Sequence, residues 1–235
     1  MKSLVFDTSS VISLITNNLL DITVQLKKKF NGEFIIPTSV KEELIDNPLH
    51  GKKYEFQALL FADALAEGKF KLMKNLNVNK KAEKLMNAAN NIFYINNKPL
   101  KIVDLAEVEG LVLACELKAS AYVVDERTLR LLVEDYRNLT RIFERKFKEK
   151  VGVNQEQLKL FNDFCGEIKI IRSVELITVA YELGLFQNFL QAKELVKEDF
   201  ERRLLDGLLW GLKLRGCSVS SNEIEDILKL EKFNK

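Results

Sequence analysis

Two short apolar runs in the chain end directly in an aspartate. Leu4-Val5-Phe6 runs into Asp7, and Tyr122-Val123-Val124 runs into Asp125. Two further acidic groups open helix-like segments: Glu42 and Glu43, after the apolar run Phe34-Ile35-Ile36, and Asp104, Glu107 and Glu109, ahead of the run that ends in Asp125. If the apolar runs are parallel strands, these four sources of carboxylate share the sheet edge at which open α/β sheets bind ligands. Two unit charges about 5 Å apart repel by roughly 3 kcal/mol at an effective dielectric near 20. Such a cluster must take up protons or hold a cation. Oxygen donors without His or Cys suit Mg²⁺ or Mn²⁺, and the chemistry they support is metal-assisted phosphodiester hydrolysis.

Each acid also has a plain structural use. An aspartate at a strand-to-helix junction is an ordinary cap for free helix amides. Ser39 with Glu42 has capping-box spacing, which leaves Glu43 as the better ligand; Asp104 with Glu107 has the same spacing, and Glu109 is the reserve ligand there. Other chemistries are poorly supplied. His50 is the only histidine and sits in the turn-like stretch Asn47-Pro48-Leu49-His50-Gly51, which argues against a histidine-based triad. There is no phosphate-binding GxxxxGK[ST] loop and no GxGxxG. Ser9 stands where an aspartyl-phosphate enzyme would carry a second aspartate.

The elements that must position these acids follow from the pattern of apolar residues. Ile12, Ile15, Leu19, Ile22 and Leu26 recur at helical spacing and predict one helix. Pro37-Thr38-Ser39 opens another through Val40, Leu44 and Ile45. Residues 52–66 read as a helix, 70–73 as a short strand, and a helix from Asp104 leads to the strand ending in Asp125. Residues 130–164 are helical and heavily charged, Ile168-Lys169-Ile170-Ile171 restores a strand, and helices are expected over 173–183, 188–215 and 220–231. Gly184 and Gly216 stop the first two of those. Short strands alternating with amphipathic helices predict an α/β fold: a three-layer α/β/α arrangement on a mostly parallel sheet. The expected organisation is one domain over 1–235, a helical insertion at 132–166, and C-terminal helices over 173–235 packed on the core.

Composition narrows the class further. With 47% hydrophobic and 30% charged residues in a chain of 235, an ordinary buried core is expected and bulk disorder is excluded. The net charge of +2 excludes a global electrostatic pull toward nucleic acid or a membrane, so any basic surface must be local. Cys115, Cys165 and Cys217 form no CxxC pair and read as reduced thiols. No apolar run approaches the roughly 20 residues of a membrane span, and Asp7 interrupts what a signal peptide would need. A cytoplasmic location is expected.

The motif set Val5-Phe6-Asp7-Thr8-Ser9, Ile36-Pro37-Thr38-Ser39-Val40 with Glu43-Leu44, Leu105-Ala106-Glu107-Val108-Glu109-Gly110 and Val123-Val124-Asp125-Glu126 resembles a PIN domain. This is the metal-dependent ribonuclease fold of toxin ribonucleases and RNA-processing nucleases. The resemblance covers residues 1–130, and the strand near 168–171 would complete the sheet. It implies that Asp7, Glu43, Glu107 and Asp125 are the catalytic, metal-binding quartet for Mg²⁺ or Mn²⁺. It also implies that Thr8 or Ser9 orients the site, that Glu126 is a fifth acid, and that RNA is the substrate. The chain departs from the family in carrying Glu107 where many members have Asp, and in the extra length of 50–100 and 132–166. Residues 176–186 and 214–220 resemble the tail of some prokaryotic members, which implies a helical lid or a homodimer surface. A small antitoxin or an RNA-maturation protein is an expected partner. Arg127, Arg130, Arg141, Arg145 and Lys146 are expected either to grip the RNA backbone or to form a solvated helix face. The rival reading is a nuclease-like fold that binds RNA or protein without appreciable catalysis.

Overall fold

The structure is a computed structural model, and it describes residues 2–231 except 75 and 197. It opens with strand β1 (Ser3–Phe6), helix α1 (Thr8–Thr16), helix α2 (Leu20–Phe30) and strand β2 (Glu33–Pro37). The single helix expected over 12–26 is two, because Asn18 adopts a left-handed φ of 56° and turns the chain between them. After β2 a short helix α3 (Thr38–Lys41) winds into a π-helical turn (Glu42–Asp46) and a 3₁₀ turn (Pro48–His50). Helix α4 (Glu55–Ala66), strand β3 (Lys71–Met73) and helix α5 (Leu76–Ala89) follow.

A hairpin of β4 (Phe93–Ile95) and β5 (Lys98–Pro99) then precedes helix α6 (Leu105–Glu116) and strand β6 (Ala121–Val123). The stretch expected as one long helical region is instead α7 (Arg127–Glu134), α8 (Tyr136–Phe147), strand β7 (Gly152–Val153) and α9 (Gln155–Cys165). Strand β8 (Ile170–Ile171) leads into α10 (Ser173–Glu182). The helix expected over 188–215 is likewise divided, into a 3₁₀ turn (Gln187–Phe189), α11 (Leu190–Lys193) and α12 (Phe200–Leu214), with Asp199 at φ 51° ahead of α12. Helix α13 (Ser221–Leu230) is the last described element.

Five strands form one parallel sheet in the order β3-β2-β1-β6-β8. From β1 the chain steps outward to β2 and β3, then crosses back to β6 and on to β8. The order therefore reverses between β1 and β6, and the carboxyl ends of those two strands flank the switch point. Their register pairs Phe6 with Val123, and the Asp7 amide donates to the Val123 carbonyl at 2.9 Å.

Alternation along the strands divides the interior into two cores. Leu4, Phe6, Phe34, Ile36, Ala121 and Val123 face one side, packed under α1, α2, α4, α10, α12 and α13. Val5, Ile35, Tyr122 and Val124 face the other, under α5 through α9. The first side is lined by an aromatic cluster in which Phe6 meets Phe34 at 5.0 Å and Phe70 at 5.2 Å between ring centroids; each such buried ring contributes on the order of 2 kcal/mol or more. The fold is three layers, α/β/α.

The stretch expected as an insertion supplies much of the second core. Leu139, Phe143, Val151, Leu158 and Phe161 pack there with Phe93 and Val112. A second, antiparallel sheet in the order β5-β4-β7 joins it to the 50–100 stretch, pairing Phe93 with Val153. No helix among the described residues is long and apolar enough to cross a membrane, and Cys115, Cys165 and Cys217 are free thiols.

Candidate active site

The carboxyl end of β1 supplies Asp7, which is buried. Its Oδ2 caps α1 by accepting from the Ser9 amide at 2.9 Å and also accepts from the Ser9 hydroxyl. That hydroxyl in turn accepts from the Asp125 amide at 3.0 Å, so Ser9 ties the ends of β1 and β6 together. The second oxygen, Oδ1, receives the hydroxyl of Tyr122 at 3.3 Å. Burial pushes the Asp7 carboxyl above its ordinary range, against the hydrogen bonds from Ser9, Thr8 and Tyr122 that favour its charged form.

Glu43 arrives on the π-helical turn after β2, a geometry often found where a side chain must be re-aimed at a functional site. Its Oε2 accepts from the Thr8 hydroxyl. Burial raises its pKa, and the neighbouring charges of Asp7, Asp104 and Glu109 raise it further. Glu107 sits in the first turn of α6, where Asp104 and Glu107 form the expected capping box: the Glu107 amide donates to Asp104, and the Asp104 amide donates to Glu107 Oε2 at 2.9 Å. Its pKa is pushed up to about 7, first by burial and then by the charges of Asp104, Glu126 and Asp7. Among the described residues, Glu43 Oε1 and Glu107 Oε1 accept no hydrogen bond.

Tyr122, on the central strand β6, was not singled out by the sequence reading. In an apolar run it reads as core, and its ring is fully buried. Its hydroxyl reaches both Asp7 Oδ1 and the Glu107 carbonyl oxygen, at 3.3 and 3.2 Å. Burial, followed by the charges of Asp7, Glu107 and Glu43, holds its pKa well above the ordinary phenol value. The same hydroxyl explains Gly110, where a Cβ would stand 2.6 Å from it.

The fourth member of the expected quartet is placed differently. Asp125 is fully buried at the end of β6, yet both its carboxylate oxygens accept from Ser173, Oδ1 from the amide and Oδ2 from the hydroxyl, each at 2.7 Å. Its carbonyl oxygen accepts from the Ser218 amide at 3.0 Å. Asp125 thus fastens the start of α10 and the 217–219 loop to the sheet. Cys217 lies against it, its thiol pushed up to about 12 by burial and the Asp125 charge.

The supporting residues sort in the same way. The Thr8 hydroxyl donates to Glu43 and the Ser9 hydroxyl to Asp7. Glu126 caps α7, accepting from the Leu129 amide at 2.9 Å. Glu109 reaches the Ser39 amide at 3.3 Å and lines a cleft of about 240 Å³ with Glu42, Thr38 and Asn79. The capping box expected of Ser39 and Glu42 does not form: Pro37 is the residue at the start of α3, Glu42 begins the π turn, and Ser39 Oγ is buried without a partner among the described residues.

Of the expected backbone-gripping residues, Arg127 and Lys146 line a cleft of about 500 Å³ together with Lys213. Arg127 donates to Ser218 Oγ at 3.2 Å. Arg130 pairs with Glu134 at 3.5 Å, and its Nε is buried without a partner among the described residues. Arg141 and Arg145 are exposed on α8 and line neither that cleft nor its neighbour beside Arg130.

The donor set of Asp7, Glu43 and Glu107 fits a hard divalent cation in element and charge, with two oxygens free to coordinate. As posed, no three His, Cys, Asp or Glu side chains among the described residues are gathered closely enough to enclose an ion. We assign Asp125 to the scaffold, because its carboxylate and carbonyl oxygens join α10 and the 217–219 loop to the sheet; its carboxylate oxygens, like those of Asp7, each keep a further lone pair. No family model, curated protein or solved structure compared with the chain matches it.

Proposed function

We propose that the chain is a metal-dependent endoribonuclease that hydrolyses RNA phosphodiester bonds, with Asp7, Glu43 and Glu107 as the residues that hold Mg²⁺ or Mn²⁺. One observation carries this reading. Three carboxylates from three separate elements lie about the end of β1 at the switch point of a parallel sheet, where the Asp7 charge acts on both Glu43 and Glu107 and burial raises all three above the ordinary carboxylate range. Capping alone does not require two glutamates to lie within the field of a buried aspartate. The resemblance of the surrounding motifs to PIN domains supplies RNA as the substrate and a toxin-type or RNA-processing role.

A divalent cation bound there supplies Lewis-acid stabilisation of charge on a phosphoryl oxygen. The chain's own residues prepare for it. Ser9 and Tyr122 fix the two oxygens of Asp7, and Thr8 fixes one oxygen of Glu43, which limits the reorganisation left to the reaction. Glu107, raised to about 7 by burial and the charges around it, would have to lose its proton to hold a cation, so binding there would depend on pH.

A second reading, an RNA- or protein-binding module, is favoured by one fact, that no three His, Cys, Asp or Glu side chains among the described residues are gathered closely enough to enclose an ion. The deciding experiment incubates purified protein with a mixed pool of structured and unstructured RNAs in Mn²⁺, Mg²⁺ or chelator, beside Asp7→Asn. Cleavage that needs metal and disappears in Asp7→Asn is expected. RNA retention without metal-dependent cleavage would transfer the assignment to the binding module.

A further inference from the structure

We infer that the cleft between α1, the π-helical turn, α4 and the end of α12 is a nucleobase subsite, which seats a base of single-stranded RNA next to the phosphodiester presented to the carboxylates. The inference rests on the nuclease reading for its substrate class. The cleft, of about 360 Å³, is lined by Ile12, Ile15, Glu43, Tyr54, Gln57 and Arg215. Glu43, a residue of the proposed reaction site, therefore also lines this second cavity.

The lining has the composition that base recognition uses. Unpaired bases are bound by stacking on aromatic rings and by hydrogen bonds to their edges, with cations taking the phosphates. Tyr54 is 54% exposed and Ile12 39% exposed, so apolar surface is held open to solvent at the mouth of the cleft. The Tyr54 ring already carries a cation, the Lys53 ammonium, 4.9 Å from its centroid. Gln57 brings an amide that can both donate to and accept from a base edge. Arg215 is exposed at the end of α12 and makes no ion pair among the described residues. Aliphatic side chains, an aromatic ring, an amide and a guanidinium without an ion pair among the described residues suit a base with its attached phosphate. They match an apolar helix poorly, since nothing in such a helix would satisfy Gln57 and Arg215.

The test measures binding without catalysis. A 5′-labelled uridylate octamer and an abasic octamer of the same phosphate count are titrated in chelator by fluorescence anisotropy, over a range of salt. Tyr54→Ala is expected to weaken uridylate binding by about 5-fold or more, as loss of one stacked base does. Tyr54→Phe should stay within about 2-fold of wild type, and the abasic octamer should not distinguish Tyr54→Ala from wild type. Arg215→Ala should lower the salt slope by about one, as loss of one phosphate contact does, while Tyr54→Ala leaves the slope unchanged. Equal uridylate binding by wild type and Tyr54→Ala, or an equal loss with the abasic octamer, overturns the subsite. So does a concentration-dependent dimer in sedimentation velocity that Tyr54→Ala abolishes, with no octamer bound. Because chelator removes cleavage from this measurement, the two readings fail separately: base-dependent binding without metal-dependent cleavage sinks the nuclease alone, and cleavage indifferent to Tyr54 sinks the subsite alone.

Discussion

Asp125 and Ser173 are joined twice, by the Ser173 amide to Oδ1 and by its hydroxyl to Oδ2, both at 2.7 Å and both out of contact with water. The pair converts the end of β6 into the anchor for α10. Asp125→Ala should therefore cost about 3 kcal/mol of stability or more, since it leaves a buried amide and hydroxyl unpaired, and Ser173→Ala about 2 kcal/mol. Urea unfolding measures both. An Asp125→Ala variant that unfolds with wild type yet cleaves nothing would return Asp125 to the reaction.

The three convergent acids should behave as one cation site. Millimolar Mn²⁺ is expected to raise the thermal midpoint of the wild-type protein, with about 2.7 kcal/mol of stabilisation at one hundred times the dissociation constant. Asp7→Asn, Glu43→Gln and Glu107→Gln should each remove most of that response and lower cleavage by 100-fold or more. Glu42→Gln, which changes an exposed residue, should leave both within about 2-fold. Differential scanning fluorimetry with and without metal makes the comparison, and an undiminished Mn²⁺ shift in the three variants would defeat the site.

Stability should fall as pH rises through the acid range. Glu107 is pushed from 4.5 to about 7 in the folded protein, so between those values the native state binds the proton that the unfolded chain has released. Folding is then favoured most below about 4.5 and loses this contribution progressively up to about 7. Asp7 and Glu43, also raised, act in the same sense. Urea midpoints between pH 5 and 7.5 should decline for wild type and decline less for Glu107→Gln. A steeper decline in the variant would contradict the assignment.

Gly110 and Tyr122 should be energetically coupled. A methyl at 110 would stand 2.6 Å from the Tyr122 hydroxyl and 3.0 Å from two ring carbons. Gly110→Ala is expected to destabilise by about 1–3 kcal/mol, and adding Tyr122→Phe should recover part of that by removing the closest atom. Tyr122→Phe alone should lower cleavage more than it lowers stability, since the hydroxyl orients Asp7. Strict additivity in the double-mutant cycle would refute the coupling.

What was legible in the sequence were the features that short-range pattern encodes. The apolar runs ending in Asp7 and Asp125 are adjacent parallel strands, Asp104 and Glu107 form their capping box, and Gly184 and Gly216 adopt positive φ past the helices they end. The breaks were less visible. Asn18 and Asp199 turn the chain in left-handed conformations that divide apparently continuous helices. Asn96 and Asn97, both at positive φ, turn the β4–β5 hairpin in a stretch for which the apolar pattern predicts no element. Tyr122 and Ser173 were missed for a different reason. Their importance lies in partners 115 and 48 residues away, and no local pattern marks a phenol or serine that meets a distant carboxylate.

The ties across the β1–β6 seam also set an order of events during synthesis. The strand that ends in Asp7 must wait for β6, and Asp125 at the end of β6 must wait for Ser173 and then for the Ser218 amide. Pairings of such long sequence separation form late. A nascent chain halted before residue 218 therefore holds the acids without the scaffold that sets them, and whatever chemistry the site performs is withheld until the 217–219 loop has been made.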